Sequence, residues 1–244
     1  MSVDERMVHD IVQKVMANMQ ISGSVSGMHG VFKDMNDAIN ASIEAQKKVC
    51  TMTLDQREQI ISLIRKKTHE NAEILANMGV NETGMGNVGD KILKHHLTAD
   101  KVPGTEDIST VAWSGDRGLT LVEMGPFGVI GAITPATNPS ETVICNCIGM
   151  LAGGNTVVFN PHPNAKKTTI YTINMINEAS IEAGGPDNIA VTVEAPTLDT
   201  SAIMMKHPSI HLLVATGGPG VVTAVLSSGK RAIGAGAGNP PVLV

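Results

Sequence analysis

Four short loops in the second half of this chain gather residue types that do ligand chemistry: Thr134–Asn138, Asn160–Asn164, Ala195–Thr197 and Thr216–Gly220. Each follows a short apolar run and leads into a stretch of helical character. Asn138 offers a side-chain amide where a helix opens. Such an asparagine is either an ordinary N-cap or a donor aimed into a cleft, where it would stabilise a developing oxyanion. His162 sits between Pro161 and Pro163, so it is either a stiffly held group that stacks on or bonds to a nucleotide, or a solvent-facing loop histidine. Gly217, Gly218 and Gly220 flank Pro219 and leave bare backbone N–H groups at a helix N-terminus. That suits a phosphate, and it is equally ordinary loop chemistry.

The elements behind these loops repeat. Strand Val129–Ile133 is followed by helix Pro139–Leu151, strand Thr156–Phe159 by helix Ala165–Ala183, strand Ile189–Val193 by helix Leu198–Lys206, and strand His211–Ala215 by helix Val221–Ser227, with a fifth strand at Arg231–Ile233. This rhythm predicts an α/β fold with a doubly wound parallel sheet, Rossmann-like, preceded by a helical N-terminal segment. The four loops leave the C-terminal ends of the strands, which is the binding edge of such a sheet. Upstream, Leu119–Met124 alternates like a strand, and the Gly125-Pro126 turn before Gly128–Ile133 suggests a hairpin or a crossing of two sheets.

From Met35 to about Val80 the apolar spacing is helical, and Thr53 with Gln56 makes a capping-box pattern at the start of a long helix. The basic run Arg65, Lys66 and Lys67 reads most simply as a solvated face, with an anion site as the alternative. A third helix starts near Asp90. Gly84-Met-Gly-Asn-Val-Gly89 formally matches G-x-G-x-x-G. The dinucleotide fingerprint needs a strand immediately before it, and here a helix precedes, so these glycines read as a helix–helix turn.

Composition excludes several classes. The net charge is -5, with three Phe, one Trp and one Tyr, which argues against a nucleic-acid partner, since that needs a basic field and stacking platforms. No apolar run reaches a membrane span of roughly 20 residues, and no metal-ligand spacing is evident. Cys50, Cys145 and Cys147 read as buried packing residues in a reducing compartment. At the N-terminus Val8, Ile11, Val12, Val15, Met16 and Met19 form one apolar helical face, followed by Ser22-Gly-Ser-Val-Ser-Gly27, a flexible linker composition. A short amphipathic helix must dock, either on its own body or on a partner.

Taken together, Glu82-Thr-Gly-Met-Gly86, Gly125–Pro139, Phe159-Asn-Pro-His-Pro163, Glu182-Ala-Gly-Gly-Pro186, Ala215-Thr-Gly-Gly-Pro-Gly220 and Gly236-Ala-Gly-Asn-Pro-Pro241 resemble the coenzyme A-acylating aldehyde dehydrogenases of the acetaldehyde and propionaldehyde type. The resemblance covers nearly the whole chain in the family's order. It implies that an aldehyde adds to a cysteine thiolate, that hydride passes to NAD, and that coenzyme A takes the acyl group. It also implies residue roles. Asn138 is the oxyanion amide. Thr134 and Pro135 line the nicotinamide side. Asn160 and His162 approach the adenosine, Thr216, Gly217, Gly218 and Val221 the pyrophosphate, and Gly236 the nicotinamide end. A homo-oligomer is expected, as is a cytoplasmic location or a microcompartment lumen. Relatives in bacterial microcompartments carry a short amphipathic targeting helix on a flexible linker, and residues 3–27 are similar in kind.

Two departures stand out. The Gly234–Gly238 stretch, where hydrolytic aldehyde dehydrogenases carry a water-activating glutamate, holds only Gly and Ala. A thiol acceptor needs less activation than water. The family's nucleophilic cysteine lies beyond the Asn-Pro-Pro motif, and none of the three cysteines matches it. The expected organisation is a docking helix over 1–20, a linker over 21–30 and an NAD-binding domain over 31–244 (helical to 105, a hairpin region over 106–128, parallel sheet from 129), with the catalytic domain absent. The alternative is a non-catalytic nucleotide-binding or microcompartment cargo module.

Overall fold

The structure, a computed structural model, describes residues 27–236 together with Gly238 and Val242. The docking helix expected over residues 1–20, most of the linker and the Asn239-Pro-Pro241 motif lie outside the described residues. The end of the expected linker is anchored rather than free. The His29 backbone N–H donates to the Asn174 side chain and its ring bonds Asp187, both at 2.8 Å. At Gly30, with φ at 77°, a side chain would stand 2.3 Å from the Asn177 amide and 2.4 Å from the Ala190 carbonyl, so only glycine fits.

The chain then forms β1 (Val31–Phe32), α1 (Met35–Val49), α2 (Leu54–Thr83) and α3 (Val88–Lys101). Thr53 and Gln56 close the expected capping box. Gly84 ends α2 in the left-handed conformation, and Asn87 caps α3. The G-x-G-x-x-G match is therefore a helix–helix turn. A ribbon follows, β2 (Val111–Gly115) against β3 (Gly118–Val122), paired antiparallel. Of the two arrangements expected for Leu119–Met124 and Gly128–Ile133, the chain takes the crossing of two sheets, since β3 stays in this ribbon and the next strand belongs to the main sheet. The tight turn at Asp116-Arg117 pairs the strand backwards along the chain, while the downstream strand is buried and takes parallel partners.

That downstream strand is β4 (Val129–Thr134), and the remaining units are α4 (Pro139–Ala152), β5 (Thr156–Pro161), α5 (Lys166–Glu182), β6 (Ala190–Val193), α6 (Leu198–Lys206), β7 (Ile210–Thr216), α7 (Pro219–Leu226) and β8 (Arg231–Ala235). The sheet runs β1-β6-β5-β4-β7-β8 and all its pairs are parallel. β4 pairs with β5 on one side and β7 on the other, so the winding reverses about β4. A crevice at such a reversal is where open α/β sheets take ligands. One core packs Ile60, Ile64, Ile144, Ile148, Ile173 and Ile176 from α2, α4 and α5 on one face. The other packs Met35, Ile39, Met204 and Val225 from α1, α6 and α7 on the opposite face. The α/β fold class expected from the sequence is therefore what the chain adopts, with β1 as an added edge strand.

Two surface expectations change. Arg65 bonds the Val102 carbonyl and Glu106, and Lys67 pairs with Glu182 at 2.9 Å. Two of the three basic residues are therefore tied to neighbouring segments rather than solvated. Cys147 is buried as expected, but Cys50 and Cys145 are exposed.

Helix α5 has no cap of its own, because Ala165 stands at its N-cap position. Glu82, at the end of α2, serves instead. Its carboxylate accepts from the Lys167 and Thr168 backbone N–H groups at 2.7 and 2.8 Å, and from the Thr168 hydroxyl at 2.7 Å. Replacing Glu82 by Ala strips an anion from a helix N-terminus and leaves two amides open, so we expect a loss of about 1–2 kcal/mol in urea unfolding.

Candidate functional site

The three strand ends β4, β5 and β7 open into a single cleft of about 720 Å³. All ten residues singled out in the sequence line it. Thr134, Pro135 and Asn138 come from the β4–α4 loop, Asn160 and His162 from the end of β5, Thr216, Gly217, Gly218 and Val221 from the β7–α7 turn, and Gly236 from beyond β8. Parallel strands bring these segments together because each loop leaves its strand at the same edge.

The local geometry distinguishes their uses. Thr134 Oγ1 is buried without a hydrogen-bond partner, so the β4 end presents an unspent hydroxyl at the cleft wall. Gly218 stands at the N-cap position of α7, which opens without a side-chain cap. A side chain built at Gly217, Gly218 or Gly220 would meet nothing within 4 Å. The fold does not need glycine there for space. Pro219 has no N–H, and the Val221 and Gly217 N–H groups donate to the Gly218 and Ala235 carbonyls, so the amides left open at this helix start are those of Gly218 and Gly220. His162 is exposed at the cleft, its Nδ1 accepting from the Asn164 N–H at 3.2 Å, which ties the ring to its own loop.

Asn160 behaves differently from the sequence expectation. Its amide Nδ2 donates to Ser201 Oγ at 2.6 Å and to the Thr197 carbonyl, and its Oδ1 accepts from Thr200 Oγ1 at 2.6 Å. The side chain is spent in tying β5 to the start of α6. It borders the cleft as a buried strut rather than as a free ligand group. Nothing local to Asn160 announces this, because Ser201 lies 41 residues away.

Asn138 occupies the N-cap position of α4, yet its side chain caps nothing. Its Oδ1 accepts from Lys94 Nζ at 3.3 Å. An ammonium can only donate, so the amide nitrogen is turned away from Lys94. Beneath it, Lys91 Nζ donates to the Thr137 carbonyl at 2.9 Å and to Glu141 Oε1 at 3.2 Å. The Lys91 and Glu141 side chains are 4% and 8% exposed. His95 completes the cluster, bonding Ser140 Oγ and the Lys91 carbonyl at 2.7 Å each. Lys91, Lys94 and His95 thus grip the first turn of α4. Sequence reading placed them only on a third helix, since nothing local announces partners 44 to 50 residues away.

Among the 21 lining residues His162 is the one ionisable side chain. The field in the cleft therefore comes from the α7 N-terminus and from the charges behind Asn138. No cysteine lines the cleft. Burial pushes the Cys147 thiol up to about 12, which keeps it protonated and unreactive. Among the described residues no group of three or more His, Cys, Asp or Glu side chains is arranged to hold a metal ion, and no helix is long and apolar enough to cross a membrane.

The sequence profile of the aldehyde dehydrogenase family matches residues 17–243. The acetylating acetaldehyde dehydrogenase of Bilophila wadsworthia (strain 3_1_6) is 46% identical over 250 residues, a match that takes in 98% of this chain and 51% of the relative. The structure of a propionaldehyde dehydrogenase from the Clostridium phytofermentans fucose utilisation bacterial microcompartment superposes with a TM-score of 0.86 at 74% identity, covering 87% of this chain and 49% of that one. A Rhodopseudomonas palustris propionaldehyde dehydrogenase with bound propionyl-CoA superposes with a TM-score of 0.84 at 50% identity, covering 87% of this chain and 47% of its own. The chain spans about half the length of the relatives it matches.

Burial holds the His95 imidazole below the ordinary histidine range, against the opposing pull of Glu141 and of the Lys91 carbonyl. A base depressed in the fold stays neutral while the unfolded chain takes up a proton. Its share of stability is therefore complete above about pH 6.5 and is lost as the pH falls below that value toward the folded pKa. His207, lowered by desolvation and by Lys230, acts in the same direction. We expect the urea midpoint to fall between about pH 7.5 and about pH 5.5, and His95→Gln to flatten that slope more than His207→Gln. Equal slopes in wild type and His95→Gln would contradict the assignment.

Proposed function

The chain belongs to the aldehyde dehydrogenase family, and from that premise we propose that it supplies the nucleotide-binding half of a coenzyme A-acylating aldehyde dehydrogenase. The reaction is oxidation of a short aldehyde to an acyl-CoA, with NAD as oxidant and coenzyme A as acyl acceptor. The observation that carries this reading is the convergence of the ten residues on one cleft at the strand ends. Acylating enzymes are also prominent among the relatives, one of them with bound propionyl-CoA.

The cleft fits the dinucleotide on this chain's own features: the uncapped glycine opening of α7, the unpartnered Thr134 hydroxyl and, among the described residues, a lining without carboxylates. The open amides of Gly218 and Gly220 would hold the pyrophosphate, with Thr216, Gly217 and Val221 around them. His162 would lie against the adenosine, with Asn160 bracing its strand. Thr134, Pro135 and Gly236 would border the nicotinamide. When bound, NAD supplies the hydride acceptor. Asn138 would donate its amide N–H to the oxygen of the aldehyde as that oxygen gains charge, a contact that strengthens in the transition state and so speeds the chemical step. The acylating cysteine is a residue this chain does not place in the cleft. The exposed apolar side chains Trp113, Leu119 and Leu121 on the β2–β3 ribbon are consistent with a homo-oligomer. By analogy with the microcompartment relative, we place the enzyme in the cytoplasm or in a microcompartment lumen.

The test is binding without turnover. The chain alone is expected to bind NAD by calorimetry and to give no NADH from short aldehyde, NAD and coenzyme A. At Gly218, with φ at -69° and ψ at 159°, any residue fits the backbone. Gly218→Val should therefore leave the melting temperature unchanged while weakening NAD binding by about tenfold or more, by blocking the phosphate approach. Unchanged affinity in this variant would refute the placement, and turnover by the chain alone would refute the division of labour.

For residues 3–20 we propose docking to a microcompartment shell protein. Co-sedimentation with shell protein should be lost when residues 1–20 are deleted, and its persistence would remove the claim.

A further inference from the structure

The hydrogen bonding around Asn138 points to a positioning residue for the reaction. An asparagine amide is nearly symmetric in shape, and its two ends do opposite things: Nδ2 donates and Oδ1 accepts. An oxyanion donor works only with the nitrogen toward the substrate. The flip that presents Oδ1 would repel the developing charge. Something must choose between the two, and at Asn138 the helix does not, because the side chain makes no cap bond to α4.

We propose that Lys94 sets the flip of the Asn138 amide, and that Lys91 and Glu141 fix the backbone on which it turns. Lys94 Nζ meets Asn138 Oδ1 at 3.3 Å. Reversing the amide would set an NH2 group against an ammonium, donor against donor. The flip that frees Nδ2 is therefore selected by charge. Nδ2 has no protein partner among the described residues, and Asn138 lines the cleft. Lys91 lies one turn earlier on the same face of α3, 4% exposed, and holds the Thr137 carbonyl at 2.9 Å and Glu141 at 3.2 Å. Two lysines three residues apart thus grip two successive residues of the β4–α4 loop.

Lys94 also acts through the amide. A cation on the carbonyl oxygen draws electron density from the nitrogen and makes its N–H a stronger donor. It places a positive charge one group behind the site of the oxyanion without touching substrate. Lys94 is therefore a positioning residue, and it rests on the reading of Asn138 as the oxyanion donor.

The test separates the two ideas. In the 244-residue chain, the Asn138 side-chain NH2 pair, identified by its loss in Asn138→Asp, should move in the nitrogen–proton correlation spectrum of Lys94→Met and return toward its wild-type position in Lys94→Arg. In the complete enzyme carrying the acylating cysteine, Lys94→Met should lower kcat about tenfold, with aldehyde KM and nucleotide Kd within about twofold and Lys94→Arg recovering most of the loss. An unmoved NH2 pair overturns the proposal. So does unchanged kcat in Lys94→Met while Asn138→Ala is impaired, or a loss of kcat matched by losses of melting temperature and nucleotide affinity, which marks a merely structural lysine. If Asn138→Ala itself keeps full kcat, the oxyanion reading fails, and the role proposed for Lys94 in the reaction goes with it.

Discussion

The buried pair Lys91–Glu141 is the constraint on which the ligand edge depends. Two charges held 3.2 Å apart with side chains only 4% and 8% exposed have lost most of their hydration. Such a pair seldom stabilises a fold more than apolar residues of the same volume, yet removing one partner costs about 3–5 kcal/mol because the other is stranded. What apolar residues could not do is bind a carbonyl. Lys91 spends one of its protons on the Thr137 oxygen, and so couples α3 to the loop that leaves β4. Sheet pairing ends at Thr134, so the loop beyond it has no ladder to define it. The ion pair, with His95 on Ser140, takes over where the hydrogen bonds of the sheet stop.

From that anchor the electrostatics of the cleft follow. Its lining is nearly uncharged, and the charges stand one layer back. Lys94 lies behind the Asn138 amide, and the α7 dipole lies behind Gly218. A wall of neutral donors backed by positive charge suits the anionic dinucleotide proposed for it, and among the described residues it leaves no carboxylate to compete for the donors. It also answers a change in charge better than a direct lysine would. Oriented amides are already in place when an oxyanion develops, whereas a mobile ammonium would bind a carboxylate or phosphate equally well at any stage.

The parts legible in the sequence are those with a local period. Strand–helix repeats gave the parallel sheet, and strand ends gave the loops, so residues named for four separate segments converge on one cleft. Roles that depend on distant partners were not legible. Asn160 is turned inward by Ser201 and Thr200 of α6, and the α3 lysines are recruited by residues more than forty positions away. The two-residue strand β1 is too short to carry any alternation. Gly115-Asp-Arg-Gly118 and Gly125-Pro126 are both turn signals, which left a hairpin or a crossing of two sheets open, and only the burial of β4 decides that the first closes the ribbon and the second carries the chain into the other sheet. Arg65 and Lys67 looked solvated because the carboxylates they meet come from other segments.

The cysteines bear on the kind of contribution the cleft would make to the proposed reaction. A nucleophilic thiol needs a lowered pKa and access to substrate. Cys147 has neither, its thiol pushed up to about 12 inside the core, and Cys50 and Cys145, though exposed, do not line the cleft. The described residues therefore offer orientation and charge, not bond-making. That contribution is large in its own right. A single well-aimed oxyanion donor is worth roughly 10²–10³ in rate, provided it is held still before the reaction starts. On the role proposed for Asn138, holding it still falls to α3, which places a buried ion pair, a buried histidine and a surface lysine around the first turn of one helix. The energy they cost in desolvation is returned only at the atom where charge appears.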